Sequence, residues 1–268
     1  MQMRHKGPYV RGYTELVPRS GPTSDMFMSF GVLVLKANEI WQDCAGTGDE
    51  RIWLLAKGSA TIAWGEREQE MFRPDLFDHG PWVLSVPSAI AVTIKAGESG
   101  AEFYRCATDN PLQFESRLFT PSECMSEFRG EGMMGETSTR IVRTVFDDTN
   151  RPESNLVIGE VIGVPGKWSS YPPHHHPQPE IYHYRVQPEQ GFGFCAIGET
   201  PYLIKDKDTI LIHDQEVHPH VTAPGYALWY LWVIRHLEGN RYGVQTVPPQ
   251  YKWVTEPGAE IWEPKRNQ

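Results

Sequence analysis

Short apolar runs rich in β-branched and aromatic residues recur along the whole chain, separated by glycine, proline and polar residues. Phe30–Leu35, Ile52–Leu55, Ser59–Trp64 and Trp82–Val86 lie in the first half. Leu156–Ile162, Gly191–Phe194, Thr209–Ile212 and Ala227–Ile234 lie in the second. Runs of this length and composition, bounded by turn residues, predict strands. The 24 glycines and 22 prolines act as punctuation throughout, and no long stretch carries helical periodicity. The pattern predicts an all-β protein, a sandwich or barrel, with few short helices, one of them near Pro121–Phe128.

A faint internal repeat refines this. Val83–Gly97 can be laid on Ile210–Gly225, and both segments run into aromatic-rich strands at Phe103 and Leu228. The repeat predicts two barrels of one kind in tandem, residues 1–135 and 136–268, with the polar stretch Phe128–Thr139 at the boundary. Asp147–Glu153 reads as a surface loop inside the second half. Ile90 and Val92 of the first copy stand where the second has His218 and His220. Eight of the ten histidines fall in the second half. The second barrel is therefore expected to carry chemistry, with the first a degenerate partner that lacks metal ligands.

The chemistry concentrates in Tyr171–Tyr184, which reads YPPHHHPQPEIYHY. Side chains two apart in extended chain share a face, so His174 and His176 point one way and His175 the other. Glu180 follows a Pro-Gln-Pro turn and can return to the same side, and His218 closes the set from a distant strand. Three imidazoles and a carboxylate suit one divalent ion of zinc, manganese, iron, nickel or cobalt. His220 shares the strand parity of His218 and is its rival for the fourth place. Alternation from Glu180 sends Tyr182 and Tyr184 inward and His183 and Arg185 outward. The two tyrosines either pack a core or offer hydroxyls to a polyol. Arg185 is read as a rim cation able to fork onto a carboxylate, with Arg235, Arg143 and Lys205 as competing anchors. Phe192, Phe194, Trp229, Tyr230 and Trp232 form the densest aromatic group, able to wall a pocket against water.

Charge and composition narrow the function classes. A net charge of -9 over 268 residues argues against nucleic acid as a partner, because phosphate binding rests on basic patches. No apolar run is long enough to span a bilayer. The first residues lack an apolar signal core, and the four cysteines form no CxxC pair, so a cytoplasmic protein with free thiols is expected. Exposed strand edges make a homo-oligomer the natural way to cover them.

The His-x-His-x3-Glu pattern with a distant histidine resembles the cupin metal motif. More narrowly, Trp168–His174 (WSSYPPH), Glu180–Arg185 (EIYHYR), Gly191–Phe194 (GFGF), His218-Pro219 and Ala223–Tyr226 (APGY) resemble the 5-deoxy-glucuronate isomerases of inositol catabolism, which are similar to the uronate ketol-isomerases. The match is dense from Gly159 to Arg235, and it departs from the family pattern at His175 and Cys195. The resemblance implies a bicupin of two double-stranded β-helices with one divalent metal per chain and no organic cofactor. It also implies an aldose–ketose isomerisation of 5-deoxy-D-glucuronate to 2-deoxy-5-keto-D-gluconate. In that reaction a Lewis acid stabilises an enediolate while a base moves a proton between adjacent carbons. Tyr182 and His220 are the side-chain candidates for that base, beside a metal hydroxide, and a hydride shift is the alternative route. Tyr184, Arg185 and Phe194 are the expected substrate contacts. Another cupin metalloenzyme, such as a dioxygenase, and a non-catalytic sugar-acid-binding cupin are the rival classes. The Ser169–His174 string favours the isomerase.

Overall fold

A computed structural model describes residues 1–44, 46, 48–213 and 215–265. It is built mostly of antiparallel strands. The helices are short: one α-helical turn at Pro249–Lys252 and 3-10 turns at Gly21–Met26, Met134–Glu136 and Trp253–Thr255.

The first half forms one eight-stranded sheet organised on two long strands, Asp49–Trp64 and Val92–Asp109. These pair along nearly their whole length, with register shifts at Leu55/Lys57 and Gly58/Ala60. The bend at that point depends on glycine. Gly58 has φ +102°, and a Cβ there would lie 2.2 Å from the Gly100 carbonyl oxygen. Beyond the bend each long strand changes partners. Met28–Leu35 and Trp82–Val86 pair with the part nearer residues 49 and 109, whereas Ile40–Asp43 and Arg67–Arg73 pair with the other part. Leu33, Trp53, Leu55, Ile62, Ile94 and Phe103 belong to the apolar core enclosed by the curled sheet.

The second half has a seven-stranded sheet facing a four-stranded one. The larger sheet runs Gln2–Met3, Thr209–Ile212, Glu180–Gln187, Ala227–Arg235, Leu156–Gly163, Arg140–Phe146, Glu127–Arg129. The smaller runs Trp168–Ser169, His220–Thr222, Gly193–Ile197, Thr200–Ile204. Cys195, Ile197 and Ile204 of the smaller sheet pack with Val161, Tyr182, Tyr184 and Tyr230 of the larger. Two strands that precede residue 135, Gln2–Met3 and Glu127–Arg129, pair into this second-half sheet.

A third core joins the halves. Phe30, Ile52, Leu54 and Tyr104 of the first sheet pack with Ile158, Ile181, Trp229 and Val233 of the seven-stranded sheet, among others. That sheet is therefore covered on both faces. This explains why Leu156–Gly163 is apolar apart from Glu160 and buried throughout.

Two local expectations change. Pro121–Phe128 is no helix: the Glu123 carboxylate accepts from the Thr120 N–H and hydroxyl and closes a turn. The chain then enters the strand Glu127–Arg129. The Asp147–Glu153 segment is not wholly a surface loop. Its Arg151 is buried and donates to the Ser85 hydroxyl and the Glu115 carbonyl of the first half.

Candidate metal centre

The expected donor set begins in the irregular segment between Tyr171 and Glu180, where four prolines at positions 172, 173, 177 and 179 keep the chain out of any ladder. The His175 backbone forms a bridge with Thr246. The rings of His174 and His176 both turn to His218, at centroid separations of 5.1 and 5.4 Å. Glu180 opens its strand, and His218 sits in the loop before His220–Thr222. His176, Glu180 and His218 bring one ligand atom each within 4.8 Å of one another. His174 borders this group without joining the mutually close set.

The hydrogen bonds decide which nitrogen of each ring faces the site. His174 Nδ1 donates to the Pro172 carbonyl, His176 Nδ1 to the Gln178 carbonyl and His218 Nδ1 to the Glu216 carbonyl, each at 2.9 Å. A carbonyl only accepts, so Nδ1 carries a proton in all three rings, and in the neutral form of each ring Nε2 is the lone pair. His176 Nε2 lies 3.1 Å from Glu180 Oε2, and His218 Nε2 lies 3.5 Å from the same oxygen. His218 Nε2 is buried and has no hydrogen-bond partner. Burial pulls His174 and His218 down to about 4, so both are neutral at neutral pH. Lone pairs converging on a carboxylate repel unless a cation lies between them. Zinc-type ions bind such donors at about 2.0–2.2 Å, which sets neighbouring donors roughly 3–4 Å apart and fits this cluster. The backbone carbonyls then act as the outer partners that orient metal-binding histidines.

Three of the four expected donors, His174, His176 and Glu180, open onto a cavity of about 330 Å3, and His218 does not border it. His174, His176, Glu180 and Tyr182 border it, and Arg140, Trp232 and Tyr242 complete much of its wall. The sheet register explains the arrangement. Thr144 pairs with Gly159, Gly159 with Trp232 and Trp232 with Tyr182, so one row of inward positions crosses four strands. Gly159 leaves the room that the Trp232 indole fills, because a Cβ there would lie 2.3 Å from that ring. Tyr182 stacks at an angle against Tyr230 and His220, and its hydroxyl lies 3.4 Å from the Ser170 hydroxyl. Burial pushes the Tyr182 phenol well above its ordinary range, so it is an O–H donor.

Four other expected site residues do not border the cavity. His220 is fully buried beneath Tyr182, stacked on Tyr230, and the Tyr184 hydroxyl bonds to its Nε2. Strand parity does turn Tyr184 inward, but two residues deeper than Tyr182, where the aromatic layer closes over it. Arg185 is held on the opposite face by Glu102, Asp206 and the Tyr104 hydroxyl. The outward face of its strand meets the first half instead of a rim. Phe194 is partly exposed against Phe192, because Cys195 is the inward residue of that strand.

Arg140 and Tyr242 were not anticipated. Arg140 had a weak signal, since it shares the parity of Val142 and Thr144 at the start of a strand. Tyr242 follows the last strand and packs edge-on against His176 at 4.9 Å; no periodic pattern announces that contact.

Residues 5–254 match the model of the KduI/IolB family. The chain belongs to this family. Among relatives, it is 27% identical to the 5-deoxy-glucuronate isomerase of Shouchella clausii over 229 residues, covering 78% of this chain and 81% of that protein. It is 29% identical to the enzyme of that name from Geobacillus thermodenitrificans over 235 residues, 77% of this chain and 79% of the other. Among solved structures, an IolB-like protein from Salmonella typhimurium LT2 superposes with a TM-score of 0.81 at 21% identity, covering 95% of this chain and 99% of that one. A Cupin 2 conserved barrel domain protein from Leptotrichia buccalis superposes with a TM-score of 0.51 at 12% identity, covering 83% and 88%. These likenesses place the fold among cupin-like proteins. Among the described residues, no helix is long and apolar enough to cross a membrane.

Proposed function

We propose that this member of the KduI/IolB family is a metal-dependent aldose–ketose isomerase that converts 5-deoxy-D-glucuronate to 2-deoxy-5-keto-D-gluconate in myo-inositol breakdown. The observation that carries the proposal is the convergence of His176, Glu180 and His218, with His174 beside them, at the edge of a cavity of about 330 Å3. We assign His176, Glu180 and His218 as metal ligands and His174 as the fourth. The metal's identity within the series zinc, manganese, iron, nickel and cobalt is open to assay.

The reaction moves the C2 proton to C1 and the O2 hydroxyl proton to O1. Net redox state does not change, and no organic cofactor is required. A divalent ion held by these residues would supply a Lewis acid for the charge that develops on the sugar oxygens. The protein's own residues do the rest. The backbone carbonyls of Pro172, Gln178 and Glu216 keep the imidazoles in one tautomer. Tyr182 borders the cavity as a protonated phenol and is the group we assign to proton delivery at a sugar oxygen. Trp232 and Tyr242 form walls that exclude bulk water from the reacting carbons.

The reading extends to the architecture. We regard the chain as a bicupin, residues 1–135 a barrel without ligands and 136–268 the metal-binding barrel, with Gln2–Met3 and Glu127–Arg129 lent to the second. The bent long strands of the first half and the facing sheets of the second support this. Free Cys44, Cys106, Cys124 and Cys195 fit a cytoplasmic enzyme, and association into a homo-oligomer would cover the sheet edges. The deciding experiment is metal analysis with an NMR assay of 5-deoxy-glucuronate on wild type and Glu180→Ala. Isomerisation by metal-stripped protein would refute the scheme.

A further inference from the structure

A sugar acid brings a carboxylate as well as hydroxyls, and the cation expected to meet it, Arg185, is engaged elsewhere. So are the competing anchors. Arg143 is bound to Glu160, and Arg235 to Asp109 and the Thr108 hydroxyl. The Lys205 ammonium lies over the Phe192 ring, away from the cavity.

Two arginines remain in the cavity wall, Arg129 and Arg140. They are direct cross-strand partners in the ladder between Glu127–Arg129 and Arg140–Phe146. Like charges facing each other this way are destabilising. Arg129 is relieved by Glu127, whose Oε2 lies 2.9 Å from its Nε. Arg140 has no such relief. It is half-buried and forms no ion pair among the described residues. Its Nη1 donates to the Ser138 carbonyl at 3.0 Å and its Nη2 to the Tyr171 carbonyl at 3.3 Å. A guanidinium has five N–H donors, so these two bonds aim the fork without exhausting it. Asp147 also borders the cavity, but its Oδ1 is taken by the N–H and hydroxyl of Thr149.

The anchor is tied to the metal centre through one dipeptide. The Tyr171 carbonyl holds Arg140, and the next carbonyl, Pro172, holds His174 Nδ1. A ligand gripping both ends would therefore span a wall whose two fixed points share a backbone.

We propose that Arg140 is the carboxylate-binding residue of the cavity and makes the enzyme prefer sugar acids to neutral sugars. This rests on the isomerase reading for the identity of the acid, but not for the presence of the subsite. An unpaired, partly desolvated guanidinium facing a cavity is a built receptor for a planar anion, since a fork can engage both carboxylate oxygens at once.

The test uses the metal-loaded full chain and two probes that cannot isomerise: borohydride-reduced 5-deoxy-glucuronate, which keeps the carboxylate, and the matching neutral polyol, 5-deoxyglucitol. By calorimetric titration, wild type binds the acid at least about tenfold more tightly than the polyol, and Arg140→Gln removes that preference. Arg140→Lys retains part of it, because the charge survives without the fork. Metal content of both variants stays at the wild-type value. In turnover of 5-deoxy-glucuronate, Arg140→Gln raises KM by roughly thirtyfold or more with a smaller change in kcat. Wild type that binds acid and polyol equally, or binds neither, overturns the proposal, as does an Arg140→Gln variant that still discriminates. Wild type that discriminates but does not isomerise 5-deoxy-glucuronate leaves the subsite standing and rejects the proposed reaction instead.

Discussion

Arg73 Nη2 lies 2.8 Å from both carboxylate oxygens of Glu160, and neither side chain is exposed to solvent. The pair bridges the two halves of the chain. Arg143 adds a second guanidinium to Glu160 at 2.9 Å, and the His79 carbonyl accepts from both arginines. Glu160 stands on the strand Leu156–Gly163, whose other face presents Val157 and Val161 to the cavity. The interface that joins the halves thus lies directly behind the candidate site.

Glu160→Ala would leave two buried arginines without their carboxylate. Removing one partner of a buried ion pair typically costs about 3–5 kcal/mol. Urea denaturation of the variant is expected to show a loss of that order. An effect below about 1 kcal/mol, the range of exposed pairs, would mean that solvent reaches the pair.

Arg185→Ala is expected to leave KM for the uronate unchanged and to lower stability, because Arg185 serves Glu102, Asp206 and Tyr104 at the junction of the halves. The loss should fall within about 1–3 kcal/mol, as for hydrogen bonds to charged groups. Parallel steady-state kinetics and thermal melts check both parts, and a raised KM with an intact melting temperature would return Arg185 to the site.

Loss of a ligand should act first on metal content. Glu180→Ala and His218→Ala are expected to bind metal far more weakly than wild type, and chelation should lower the wild-type melting temperature but not theirs, since only a bound ion adds linked stability. Elemental analysis after dialysis and a melt with and without chelator give the answer. Substoichiometric metal in wild type as well as in both variants would count against the assignment.

Gly159→Ala is expected to impair both stability and turnover. Its Cβ would lie 2.3 Å from the Trp232 ring and 2.8 Å from the Arg143 carbonyl oxygen, so the indole must move into the cavity. Overpacking of this kind costs about 1–3 kcal/mol. The check is a denaturation curve with kcat/KM for the uronate, and an unchanged kcat/KM would show that Trp232 does not shape the reacting space.

Acid should destabilise the fold through His183. This ring is buried between the halves, with Nδ1 on the Thr209 hydroxyl and Nε2 on the Tyr9 hydroxyl, each at 2.9 Å. Burial depresses it from 6.5 to about 3. The folded state therefore binds fewer protons than the unfolded one between these values. The contribution is complete above pH 6.5 and is lost as pH falls toward 3, with a limiting slope of about 1.4 kcal/mol per pH unit. Denaturation of wild type and His183→Gln across this window should differ in slope by up to that amount, whatever the offset between the curves. Parallel slopes would show that His183 is not held neutral.

The sequence alone determined what covalent geometry and local chain chemistry control. Alternation along Glu180–Gln187 turned Glu180, Tyr182 and Tyr184 inward and His183 and Arg185 outward, because side chains in a strand must alternate. Extended chain likewise put His174 and His176 on one side, both rings facing His218. Tertiary structure decided what those faces meet. The outward face of Arg185 became an interface because a second sheet covers it. Tyr184 lies beneath Tyr182 because the smaller sheet, which carries His220, packs against it. Arg140 and Tyr242 reached the cavity through cross-strand register and the path of the C-terminal segment. Parity is a property of each residue's own backbone, whereas convergence depends on how strands distant in sequence align and curl, and no local pattern encodes that.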